Sequence, residues 1–139
     1  MIAVPRALVA EALGVAETAL PPGDLPLDRL ARRFLAYLAA GNDDDPPPAD
    51  HPDAWTFALI EALTRDHPDL ALAATRAALT ACETPDDIAV VAAGPLEDLI
   101  ATHGAGLIDE IETLALRAPR FAYALTGVGL AALGAHAAL

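Results

Sequence analysis

The chain contains no lysine, no serine and no glutamine, and its one asparagine is Asn42. Without serine there is no Ser-His-Asp nucleophile; without lysine, neither a phosphate-loop lysine nor a Schiff base is available. A single cysteine, Cys82, cannot close an internal disulfide. With no Cys-x-x-Cys pair and no Cys/His cluster, no structural zinc site is expected. Cys82 stands in an alanine-rich run, where a free thiol acts as a small apolar filler. Aromatic residues make up only 4% of the chain. Strand signals are missing too: no sustained alternation of β-branched or aromatic residues occurs.

What is present is a 139-residue chain, 55% hydrophobic and much of that alanine. The length suits one domain, 1–139, able to bury a core without staples. Alanine lets helices approach closely but buries little area per residue, so a thin, helix-on-helix core is expected. Twenty acids against eight arginines give a net charge of −12. Such a surface repels nucleic acid and suits a basic protein partner. The start, Met1 to Arg6, lacks the pattern of a signal peptide, which points to a cytoplasmic protein. From Phe121 to Leu139 no formal charge occurs, but Ala, Gly, Thr126 and His136 make that stretch weak for a membrane span. It reads as a buried closing helix, or as a face for homodimer formation.

Helix punctuation recurs throughout. A first helix is expected from Pro5 to Thr18, ended by Pro21-Pro22-Gly23. Asp24 or Asp28 then caps a second, with Leu27, Leu30, Phe34, Leu35 and Leu38 on one side and Arg29, Arg32 and Arg33 on the other. Gly41 stands where a left-handed C-terminal residue belongs. Residues 42–50 form an acidic, proline-rich linker, extended by charge repulsion and polyproline stiffness; the spaced ligands of a calcium loop are absent. Further helices are expected over Asp53–Arg65, Pro68–Cys82, from Thr84-Pro85, over Leu96–His103, over Leu107–Arg117 and from Pro119. Glu61-x-Leu63-x-x-x-His67 and Glu97-x-Leu99-x-x-x-His103 match at an offset of 36 residues, a spacing like that of helical-hairpin repeats. The expected fold is all-α: six to eight helices in successive antiparallel hairpins, as an irregular bundle or a repeat-like one.

The segment from Gly94 to Gly104 concentrates special backbone residues, acids and a histidine. Pro95 forces the helix from Pro85 to kink or restart. In a restart, Gly94 is the N-cap, Pro95 the first residue, and Glu97 and Asp98 complement the new N-terminus. Leu96, Leu99, Ile100 and His103 share one face, so His103 is expected to pack its ring and satisfy one nitrogen on a backbone carbonyl. Glu97 and His103, six positions apart, cannot form a compact pair on a straight helix. In the functional reading the break opens a groove in which Glu97 and Asp98 meet Asp109, Glu110 and Glu112, to hold a metal or grip an arginine. Trp55 serves as core or as an interface anchor.

Ala92-Ala93-Gly94-Pro95-Leu96-Glu97-Asp98-Leu99-Ile100, with His103-Gly104 following, resembles the core motif of a family of small bacterial helical domains of unknown function. Trp55 upstream and Arg120-Phe121 downstream resemble the rest of its pattern, over roughly residues 50 to 130. The resemblance implies an all-helical bacterial domain and supplies no reaction. The sequence is therefore read as a non-catalytic interaction module with an acidic surface, of the immunity, antitoxin or adaptor kind, needing no cofactor and no metal. The alternative is a small-ligand binder or enzyme using the groove at Gly94–Gly104, with Gly94, Pro95, Glu97, Asp98, His103 and Trp55 as its residues.

Overall fold

Prolines and one left-handed glycine decide where the helices begin and end. The computed structural model describes residues 3–42 and 44–128, and the structural statements below concern those residues. Proline opens α4 (Pro68–Ala81), α5 (Pro85–Val91) and α7 (Pro119–Leu125), where its missing amide hydrogen costs nothing. Thr84 caps α5 as expected, its Oγ1 accepting the Asp87 amide at 3.1 Å. The other elements are α1 (Arg6–Leu13), a 3₁₀ turn (Glu17–Ala19), α2 (Leu27–Ala39), α3 (Ala54–Asp66) and α6 (Glu97–Arg117).

The fold is all-α apart from a two-residue ladder that the sequence did not announce. β1 (Ala3–Val4) pairs antiparallel with β2 (Leu25–Pro26), Val4 opposite Leu25. α1 stops at Leu13, five residues before the expected end, because Gly14 turns left-handed at φ 66° and its amide closes on Ala10 and Glu11. Asp24 does not cap α2; its carboxylate accepts the Arg6 amide at 3.1 Å and so closes the start of α1. Gly41 is not left-handed. It is a close-approach glycine: a Cβ there would lie 2.6 Å from the ring of Pro47. The linker begins in a turn, with the Asn42 side-chain oxygen accepting the amides of Asp44 and Asp45 at 2.8 and 2.9 Å.

The buried apolar residues form one cluster running from Val4 to Val128. Its centre is α4, which packs against α2, α3, α5, α6 and α7. Ala71, Ala74 and Ala78 on α4 are about 1% exposed, so small side chains let the neighbours close in, as the composition suggested. Leu30 and Phe34 of α2 join Leu59 and Leu63 of α3 and Leu79 of α4 in the interior, while Arg29, Arg32 and Arg33 face outward. Buried Thr64 and Thr75 donate to the carbonyls four residues back, each at 2.8 Å. Among the described residues no buried side-chain polar atom lacks a partner.

The helix at Pro95 neither breaks nor restarts. α5 runs through a π-turn (Ala92–Leu96) into α6, and the backbone stays helical throughout. Gly94 is therefore not an N-cap, and Glu97 and Asp98 face no exposed helix start. Gly104 and Gly106, expected to punctuate, lie inside α6. The 36-residue match does not fold as a repeat: His67 ends α3, whereas His103 sits in mid-α6. The expected last helix ends at Leu125, short of the expected Val128, and residues 126–128 form a turn whose amides close on the carbonyls three residues back. Residues 129–139, and with them most of the expected self-association face, fall outside the described residues. Among the described residues no helix is long and apolar enough to cross a membrane.

Candidate functional site

Proline in a helix leaves one carbonyl without its donor and presses its ring on that carbonyl. At Pro95 the chain absorbs this by inserting one residue into the turn, so that the Glu97 amide closes on the Ala92 carbonyl five residues back. The wide turn forms one wall of a groove of about 560 Å³. Val90, Ala93, Gly94, Pro95, Asp98 and Thr102 line that side. α3 supplies Phe57, Ile60, Glu61, Thr64 and Arg65, and α2 closes the groove with Phe34 and Leu38. Phe57 is 44% and Val90 49% exposed, high for large apolar side chains.

Gly94 explains why the groove stays open at the turn. Its φ is not left-handed, and a Cβ built on it would meet nothing within 4 Å. Neither conformation nor packing requires glycine there, although glycine costs a helix about 1 kcal/mol relative to alanine. A side chain at 94 would project into the groove.

The charge inside is lopsided. Arg65, the one cation lining the groove among the described residues, has its Nε 3.3 Å from Asp66 Oδ2. Glu61 and Asp98 line the same space and make no ion pair among the described residues. Burial, and then the neighbouring Glu97 carboxylate, push the Asp98 carboxyl above its ordinary pKa. The imbalance extends over the molecule. Residues 1–41 hold four acids and four arginines, so all of the −12 charge arises after residue 41.

Of the residues expected at the site, Gly94, Pro95 and Asp98 come together. Glu97 and His103 do not line the groove. His103 turns to α3 instead, its Nε2 2.6 Å from the Thr64 carbonyl, so it satisfies a backbone group as its place on the apolar face suggested. Trp55 lies in a different hollow of about 370 Å³, with Arg6, Leu20, Pro21 and Leu25 among its lining. Asp109, Glu110 and Glu112 do not join Glu97 and Asp98. Twelve residues of unbroken helix, at 1.5 Å each, carry Asp109 about 18 Å from Glu97. No group of three or more potential metal ligands occurs among the described residues. Phe57, Glu61 and Arg65 were missed because only the packing of α3 beside the π-turn makes them neighbours; their helical spacing alone reads as an ordinary solvated face.

Two positions of the expected motif also serve helix ends. Besides His103 under α3, Arg120 at the start of α7 reaches back to the end of α4, where its Nη1 donates to the carbonyls of Leu79, Thr80 and Cys82. Cys82 is buried, its Sγ donating to Ala78 O at 3.2 Å, and burial pushes its thiol up to about 11. No curated protein and no solved structure matches the chain significantly. The family model that does match covers residues 42–132, well over half of the chain. The chain belongs to DUF6869, a family of unknown function.

Proposed function

We propose that the protein is a non-catalytic interaction module that binds a basic partner protein through its acidic body, with the groove at the π-turn as the contact. The observation that carries this reading is the pair of groove carboxylates, Glu61 and Asp98, which make no ion pair among the described residues, beside exposed Phe57 and Val90. A charged rim over an apolar floor suits a protein segment better than it suits chemistry on a small substrate. Among the described residues the groove is lined by no serine, cysteine or histidine. The same reading has the protein working in the cytoplasm of a bacterium.

Affinity capture from the native host, followed by mass spectrometry, tests it. The expected result is one dominant basic protein, released as salt is raised from about 0.1 to 0.5 M, because screening weakens charge pairing. Retention of acidic or neutral proteins only, or binding indifferent to salt, would overturn it.

A further inference from the structure

We propose that the groove is a seat for one arginine side chain of that partner, the guanidinium held by Glu61 and Asp98 and the aliphatic stem lying on Phe57 and Val90. This rests on the reading of the protein as a module for a basic partner. Glu61 and Asp98 are exposed on the same groove and offer four acceptor oxygens, and a guanidinium carries five donors in a planar fork. Lysine fits less well: an ammonium is a compact point charge that cannot engage two carboxylates in one plane as a guanidinium fork can. Phe57 continues a row of rings, edge-to-face Tyr37 and His51 at 5.7 Å and tilted Tyr37 and Phe57 at 6.2 Å, which holds an exposed aromatic face beside the acids. A guanidinium stacks on such a face more readily than an ammonium.

Arg65 is the internal competitor. It lies four residues after Glu61 on α3, within reach of that carboxylate in a helix, yet its contact in the structure is with Asp66. Exposed pairs of this kind are weak, so an incoming arginine displaces little. α2 gives the seat its far wall through Phe34 and Leu38, and α2 lies before the span matched by the family.

The test titrates ¹⁵N-labelled protein with an end-capped Leu-Arg-Leu peptide and with its citrulline counterpart, which keeps the shape and loses the charge. Arginine-dependent shifts are expected at the amides of Phe57, Gly94 and Asp98, with the citrulline peptide about tenfold weaker. Asp98→Asn should weaken the arginine peptide and Arg65→Ala strengthen it, each severalfold. Gly94→Leu, whose side chain enters open space, should abolish binding while melting temperature and circular dichroism stay native-like. Equal binding of the two peptides, weaker binding to Arg65→Ala, or shifts confined to other surfaces would overturn the seat. Salt-sensitive capture of a basic protein that survives Gly94→Leu would overturn the seat alone. Salt-insensitive capture would overturn the module reading as well.

Discussion

The Nε2 of His103 lies 2.6 Å from the carbonyl oxygen of Thr64, and Thr64 is the residue whose helical donor would be the amide of Pro68. The chain leaves the helix at His67 (φ −139°, ψ 68°), so the tight junction of α3 and α4 leaves this carbonyl without a helical donor, and a histidine from α6 supplies one. Since the carbonyl only accepts, Nε2 must carry the hydrogen. His103→Ala should cost about 1–3 kcal/mol in urea unfolding. His103→Phe, which keeps a ring but has no donor, should lose about as much as His103→Ala; a native-like melt for that variant would refute the hydrogen bond.

Arg120 does the same work for α4, on three carbonyls and across about forty residues. Arg120→Ala should destabilise by about 1–2 kcal/mol, less than a buried charged hydrogen bond because the side chain is exposed. Hydrogen exchange should locate the loss: amides in the last turn of α4 should lose protection ahead of those in α3. Uniform loss of protection would refute a cap.

Gly94 and Gly41 should respond oppositely to alanine. At Gly94 the added methyl meets open space and the helix gains propensity, so Gly94→Ala should stabilise by up to about 1 kcal/mol. At Gly41 the same methyl would come 2.6 Å from the Pro47 ring and its backbone nitrogen, so Gly41→Ala should destabilise by about 1–3 kcal/mol. Thermal melts of the two variants compare them directly.

Two groups set the pH dependence, and both have raised folded-state values. The Cys82 thiol, moved from 9.0 to about 11, holds its proton in the folded state, so its contribution is complete below about pH 9 and is lost as pH rises toward 11. Reaction with an alkylating reagent at pH 8 should accordingly be slow until denaturant is added. Asp98 likewise favours its protonated form when folded, so ionisation at neutral pH works against folding. Asp98→Asn should melt higher than the parent at pH 7, and the gap should close on acidification below about pH 4. A constant gap across that range would exclude ionisation as the cause.

Helix starts were legible where a proline or a capping threonine sits at the end itself, as at Pro68, Thr84-Pro85 and Pro119, because those residues act through the backbone a few positions away. Pro95 was legible as a disturbance but not as to its kind. An interior proline can break, kink or widen a helix, and the choice here goes with Leu96, Leu99 and Ile100, which are buried in the common core on a continuous axis. The groove was legible only on the π-turn side. Its α3 side is exposed helix surface until α3 is placed beside the π-turn and α6. Trp55 is not legible as part of the other hollow, because the residues that line it with Trp55, from Arg6 to Arg29, are brought there only by tertiary packing.

Composition and local spacing by themselves determined that the chain is helical, acidic, alanine-packed and free of serine or lysine nucleophiles, because each of these follows from side-chain chemistry within a turn or two of helix. Only the tertiary structure decided what the motif residues do. His103 and Arg120 find their carbonyls 39 and about 40 residues away, and Glu61 and Asp98 share a groove only because α3 packs beside the π-turn. Those pairings are set by which helix faces bury together, an energy summed over the whole core that no local stretch of sequence contains.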